Sequence, residues 1–316
     1  MSVGVIIPVY NGQHHLEDVV RSVQAQTVSS WELVVVDDGS TDGTNAMAQR
    51  LAGEDPRIRL VRQDNAGVSV ARNTGLTATT ADKVVYLDVD DVWEPHALET
   101  LLRGLERAPW AAGAHGLGRH IGAQGQSIRP GELEAFTRSR HAVEDGALVT
   151  VPIDQPTRFE SEVIFCHVAT VGTALFRRAA LERAGGFDPN LAFAEDWDLY
   201  LRIVTQAPIA FVDKVVLGKR SHEHNVSNNY TALFRGLSQV RRKLLALVAN
   251  DPRRLRVAML GRRYSNRLNL RRELVWARQA MERRYYSLAC RHLGRAALFS
   301  AKEAAVLCQV MTLRRG

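Results

Sequence analysis

The 316-residue sequence predicts an α/β protein in which a mostly parallel central sheet is flanked by helices and followed by an all-helical basic region. Three observations carry this. Short β-branched apolar runs alternate with segments of helical apolar spacing over the first hundred or so residues, the pattern of βαβ units. Acidic clusters follow two of those runs, where the strands would end. Basic charge collects in the last third: from Thr231 onward there are eighteen arginines and two lysines against four acids, a balance of +16, which leaves −9 on the rest of a chain whose net charge is +7. Such a split predicts two regions, 1–230 and 231–316, because a single solvated surface would mix the signs.

The elements follow in order. Val3 to Pro8 is an apolar strand, and Leu16, Val19, Val20 and Val23 recur at helical spacing behind it. Glu32 to Val36 is a second strand ending at Asp37, Asp38 and Gly39, with a helix starting near Thr41, a favoured N-cap type. A strand over Ile58 to Val61, a helix from about Ser69 to Thr77, and a strand over Lys83 to Leu87 ending in Asp88 come next. Pro95 marks the first turn of a helix carrying Leu98, Leu101, Leu102 and Leu105. From Trp110 to about Phe165 the pattern weakens into short strands and turns without a defined order. Helices are expected from about Arg177 to Ala184, closed by Gly185 and Gly186, and from about Asp196 to Val204. Beyond Tyr230 the sequence reads as helices alone.

No run reaches the roughly 18 apolar residues of a membrane span, and the start MSVGVIIPVYNG has no basic leader, so a cytoplasmic protein is expected. Cys166, Cys290 and Cys308 are odd in number and widely spaced, which predicts buried free thiols rather than a zinc site.

Three constellations carry chemistry. In VVVDDGSTDGT, Val34 to Thr44, a strand-end carboxylate can accept from a nucleobase imide or ribose hydroxyls while Gly39 lets the chain turn; a turn with acidic caps is the competing reading. In LDVDDVW, Leu87 to Trp93, three carboxylates within four residues repel unless solvated or neutralised, and hard divalent cations favour such oxygens. In GGFDPNLAFAEDWDLYLRI, Glu195 and Asp196 fall at a helix start, where an acid is either a favourable first-turn charge or a general base overlooking a cleft.

These segments, together with VGVIIPVYNG and RLVRQDNAGVSVARNTGL, in this order and spacing, resemble the family 2 inverting glycosyltransferases with the GT-A fold, over about Ser2 to Ser227, roughly the first 70% of the chain. The resemblance implies a donor half over about 1–110 and an acceptor half over about 111–230. It implies that Pro8, Tyr10 and Asn11 line the nucleotide pocket, that Asp38 holds the base, and that Arg72 lies near the base or diphosphate. Asp88 and Asp90 correspond to the DxD pair that meets the donor, with Asp90 the direct ligand of a divalent metal, Mg²⁺ or Mn²⁺, and Asp91 sharing that task. Asp196 matches the catalytic base, beside Glu195. His222, within RSHEHNVS, matches the segment that closes over the diphosphate and joins the metal ligands. The partners implied are a nucleotide-diphospho-sugar, UDP-linked by default, and a glycan or lipid-linked acceptor in cell-surface glycan assembly. The basic region adds an anionic membrane surface as a candidate partner and a peripheral position at the inner membrane face.

Other classes fit less well. A dinucleotide dehydrogenase needs GxGxxG where this chain has PVYNGQ, and a nucleotidyltransferase needs a Gly-rich phosphate loop after the first strand. Nucleic-acid binding through the arginine-rich helices has no zinc, RNP-like or helix-turn-helix signature behind it, so no nucleic-acid partner is expected.

Overall fold

A computed structural model describes residues 2–221, 230–282 and 285–313. The first half is a run of alternating strands and helices: β1 (Val3–Val9), α1 (Leu16–Gln24), β2 (Trp31–Asp38), α2 (Thr44–Glu54), β3 (Ile58–Gln63), α3 (Val68–Ala78), β4 (Lys83–Tyr86), β5 (Val92–Trp93) and α4 (Ala97–Arg107). Every residue of β1 is buried, and alternate side chains serve opposite faces of the sheet. Val3, Val5 and Ile7 pack with α1 and α4, whereas Ile6 joins Val34, Val36 and Ala71 of α3 on the other face. A strand covered on both faces favours apolar residues throughout, which is why β1 and the middle of β2 read as apolar runs, whereas the edge strand β3 carries Arg59 and Arg62 toward solvent.

The middle holds β6 (Gly113–Ile121), α5 (Glu132–Arg138), the hairpin β7 (His141–Glu144) and β8 (Ala147–Thr150), α6 (Phe159–Glu162), β9 (Ala174–Arg177), α7 (Arg178–Ala184), α8 (Glu195–Val204) and β10 (Ile209–Arg220). The main sheet runs β3-β2-β1-β4-β9-β6-β10-β5. Its β3-β2-β1-β4 part is parallel, β9 is antiparallel to both its neighbours, and β6 with β10 is again a parallel pair. Three helices close the chain: α9 (Tyr230–Leu247), α10 (Pro252–Glu282) and α11 (Tyr286–Leu313).

The α/β expectation and the helical C-terminal region are therefore both met. Some details shift. Helix α2 begins at Thr44 rather than near Thr41, with Gly43 as its cap and Asp42 Oδ1 accepting the Thr44 N–H at 3.0 Å in the turn before it. Pro95 lies ahead of α4, whose cap is His96. Gly185 closes α7 in the left-handed conformation, φ 80°, as its position suggested. Cys166 is a partly buried free thiol, but Cys290 is exposed, which corrects the expectation that it is buried: it falls on a face of α11 that packs against nothing described.

Candidate functional site

The strands β1, β2 and β4 end on one edge of the sheet, the edge where open α/β folds bind ligands. Two loops there are tied together. Asn11 adopts a left-handed conformation, φ 51°, that asparagine tolerates better than most residues. Its N–H donates to Ser40 Oγ at 3.0 Å, and its side-chain oxygen accepts the Thr41 N–H at 2.8 Å. The Gly12 N–H donates to Thr44 Oγ1 at 2.9 Å. Pro8 is buried within β1 opposite Val36, and Tyr10 stands at the rim with 52% of its surface exposed.

Asp37 and Asp38 are both buried. Asp37 turns back into its own loop, accepting from the Ser40 N–H at 2.9 Å and Asn45 Nδ2 at 3.0 Å. Asp38 reaches the next crossover: Oδ1 accepts Gln63 Nε2 at 2.7 Å and the Ala66 N–H at 2.9 Å, and Oδ2 accepts the Gly67 N–H at 2.9 Å. Three of its roughly four acceptor positions are thus filled by the fold. The carboxylate shapes the turn into α3, where Gly67 sits at φ 91°.

The acidic turn after β4 divides its three carboxylates. Arg72 of α3 is buried and forked: Nη2 donates to Asp88 Oδ1 and Nη1 to Glu195 Oε1, each at 2.8 Å. Its guanidinium carbon lies 4.8 Å from the centre of the Phe187 ring. One cation thereby joins the end of β4 to the start of α8. Asp91 points elsewhere: Oδ1 accepts the Arg220 N–H and Oδ2 the Thr170 hydroxyl, both at 3.2 Å. Burial, followed by the charges of Asp90 and Asp88, pushes its carboxyl well above the usual range. Asp90 keeps a partly exposed side chain, and its backbone carbonyl accepts Arg220 Nε at 3.1 Å.

Asp196 sits in the first turn of α8, after Ala194 at φ 59°, a left-handed conformation that costs a β-carbon-bearing residue energy. The Trp197 N–H donates to Asp196 Oδ1 at 2.7 Å, and the Trp197 indole donates to the Glu162 carbonyl at 2.9 Å, which pins the helix start. Desolvation and then the Glu195 charge raise the Asp196 carboxyl to about 6, against the opposing pull of Arg72 and the Trp197 N–H. A carboxylate with that affinity for a proton can accept one near neutral pH.

Asp88, Glu195 and Asp196 are thus brought together through Arg72, with Asp90 and Asp91 on the same turn. His222 lies outside the described residues. Arg220 was not singled out from sequence, although RSHEHNVS begins with it; its side chain fixes the acidic turn against β10 and reaches Asp18 Oδ2 at 3.2 Å. Among the described residues no group of three or more His, Cys, Asp or Glu is arranged to hold a metal. A hard cation that takes one or two carboxylates and completes its shell with phosphates and water would fit the partly exposed Asp88 and Asp90 better than an all-protein cage would.

The family model described as Glycosyl transferase family 2 matches residues 4–185. Among curated proteins, the chain is 28% identical over 225 residues to a chondroitin synthase of Escherichia coli, covering 71% of this chain and 30% of that protein. It is 33% identical over 190 residues to an uncharacterized glycosyltransferase of Nostoc sp., covering 60% of this chain and 55% of the relative. The chain therefore spans about half or less of the length of these two relatives. Among solved structures, Staphylococcus aureus TarS 1–349 in complex with UDP-GlcNAc shares the fold at a TM-score of 0.63 and 19% identity, covering 84% of this chain and 72% of that one. The mannosyltransferase PcManGT from Pyrobaculum calidifontis, in complex with GDP-Man and Mn²⁺, does so at 0.62 and 21%, covering 94% and 86%. Identities this low speak to the GT-A fold alone.

Proposed function

Because the chain belongs to glycosyl transferase family 2, we propose that it moves a sugar from a nucleotide-diphosphate donor, UDP-linked by default, to an acceptor hydroxyl with inversion at the anomeric carbon. The observation that carries this is the Arg72 fork, which holds Asp88 and Glu195 together and so sets Asp196 beside the acidic turn. In this reading Asp196 takes the proton of the acceptor hydroxyl as its oxygen attacks the anomeric carbon and the bond to the diphosphate breaks. Glu195 raises the proton affinity of Asp196, and Arg72 keeps that rise moderate. Asp38, Asn11, Tyr10 and the end of β1 at Pro8 form the nucleotide side, where Asp38 has one acceptor position left for a base. A Mg²⁺ or Mn²⁺ ion, when bound, supplies positive charge against the departing diphosphate. Asp90 would be its protein ligand and Asp88 would meet the donor, while Asp91 holds the turn to β10 through the Arg220 N–H. By the resemblance, His222, which lies outside the described residues, would join Asp90 as a ligand of that ion.

The donor class is supported by solved proteins of the same fold that hold UDP-GlcNAc, or GDP-Man with Mn²⁺. Glycan assembly as the setting is supported by the likeness to chondroitin synthase. We place the enzyme on the cytoplasmic side, peripheral at the inner membrane face and acting on a glycan or lipid-linked acceptor. No helix among the described residues is long and apolar enough to cross a membrane.

A panel of UDP- and GDP-sugars, monitored for nucleotide release with added Mg²⁺ or Mn²⁺ and again in EDTA, tests the proposal. Release from at least one donor, lost in EDTA and restored by the metal, is the expected result. Silence across the panel overturns the transferase reading, and full activity in EDTA overturns the metal role.

A further inference from the structure

Helix α9 crosses the loop that leads into α8: a methyl added at Gly236 would meet the Phe193 carbonyl oxygen at 2.6 Å. Farther along α9, Val240 is buried and the Arg241 guanidinium carbon lies 5.1 Å from the centre of the Trp197 ring. Trp197 is the neighbour of the proposed base, Asp196, and donates its N–H to it. Arg72 and Arg241 thus reach the start of α8 by separate routes, Arg72 from α3 through Glu195 and Arg241 from the C-terminal helices.

Beside Arg241, α10 offers groups that donate hydrogen bonds and few that accept them. Arg241 Nη2 donates to Ser265 Oγ at 2.8 Å, and Asn269 Nδ2 donates to the same oxygen at 3.4 Å. Asn269 Oδ1 is taken in turn by Arg272 Nη2 at 2.7 Å. Arg262, Asn266 and Asn269 recur at i, i+4, i+7, so they share one face of α10. Asn266 is 6% exposed, and its Nδ2 meets no acceptor. Burial and then the charge of nearby Arg262 pull the Arg241 guanidinium down to about 9. Among the described residues neither arginine pairs with an acid: Asp188 and Asp198 are held by Lys243, and Glu273 by His292. Two guanidinium groups drawn together partly out of water without an acid are costly. An oxyanion between them removes that cost through charge-assisted hydrogen bonds.

We propose that Arg241, Arg262 and Asn266 seat an anionic group of the acceptor, a phosphate or a carboxylate, on the C-terminal side of Asp196. The inference rests on the transferase reading and names the acceptor class for it: a negatively charged acceptor rather than a neutral sugar. The diphosphate of the sugar donor belongs to the acidic turn on the Arg72 side of α8, so the anion met by Arg241 is carried by the other substrate. Bound there, the charged group anchors the acceptor from the helical region, and a hydroxyl of the same molecule is presented to Asp196.

Thermal unfolding of the full chain is followed in EDTA, at constant ionic strength, with rising methyl phosphate, glucuronate or neutral methyl glucoside. At least one of the two anions should raise Tm in a saturating way, and which of them does so assigns the seat to phosphate or to carboxylate; the glucoside should not raise it. Arg241→Met and Arg262→Met should each weaken the anion response about tenfold or more. Their Tm without anion should stay at or above that of wild type, because each removes a cation that has no acid partner. An arginine with a purely structural role would give the reverse, a lower starting Tm and an intact response. Asp90→Asn should keep the response, since its place is at the sugar-donor site, so this test and the nucleotide-release test of the transferase reading fail separately. Four outcomes overturn the proposal: no response to either anion, an equal response to the glucoside, an intact response in Arg241→Met, or loss of the response in Asp90→Asn.

Discussion

Arg72→Met removes the charge that joins the two halves of the site while keeping much of the side-chain volume. Arg72 is 4% exposed, with both its ion pairs at 2.8 Å, and its partners differ in burial: the Glu195 side chain is 15% exposed and that of Asp88 34%. Deleting one partner of a fully buried pair costs about 3–5 kcal/mol, because the other charge is left without compensation. Water already reaches Asp88 and can re-solvate it, so the expected loss is about 2–4 kcal/mol. At roughly 2–4 °C per kcal/mol for a domain of this size, Tm should fall by about 4–16 °C. A second effect is independent of stability. Arg72 is one of the groups that hold the Asp196 carboxyl down against burial and Glu195, so without it that group rises above about 6. Asp196 works as a base only when ionised, and the fraction ionised grows as pH rises through its pKa. The acid limb of nucleotide release should therefore move to higher pH in the variant. Thermal denaturation by circular dichroism and a pH-rate profile read the two effects. A Tm within about 2 °C of wild type together with an unmoved acid limb would refute the bridging role.

Other perturbations follow from the same geometry. Asp90→Asn should abolish nucleotide release and donor binding together, whereas Asp91→Asn, whose carboxyl is pushed toward the neutral form by burial and the charges of Asp90 and Asp88 and which bonds Arg220 and Thr170, should retain most donor affinity; equal loss in both, measured by donor titration, would return Asp91 to the metal. Gly75→Ala on α3 would drive its methyl into Ile6 of β1, an overpacking cost of about 1–3 kcal/mol visible as a lowered urea midpoint. Ala194→Gly relieves a left-handed alanine and should raise stability by about 1 kcal/mol, while the looser start of α8 lowers the rate of release; no change in either would mean that the conformation carries no strain.

The donor half was legible because β1, β2 and β4 are largely buried on both faces and read as apolar runs, while the edge strand β3 shows in Ile58, Leu60 and Val61. Strands β1 to β4 each lie within two residues of their expected ends. The middle was not. Strand β6 contains three glycines and a buried His115, β9 is four residues long, and their neighbours in the sheet are remote in sequence. Hydrophobic periodicity sees local pattern alone, so the insertion of β9 between β4 and β6 left no trace in it. The site shows the same division. Spacing located the carboxylates at strand ends and at the start of α8, but the partner of Arg72 lies 123 residues away at Glu195. That Asp91 is claimed by the end of β10, and so separated from Asp90, is likewise a long-range contact, 129 residues to Arg220.

Nucleotide release by Asp196→Asn, measured beside wild type with the same donor and metal, tests the assignment of the base most directly. The substitution keeps the shape and the hydrogen bond from the Trp197 N–H but removes the proton acceptor. Transfer should slow by about 10²–10⁴-fold while donor affinity stays near that of wild type. A variant that turns over at the wild-type rate, with the donor bound as tightly as before, would contradict Asp196 as the base and the site built around it.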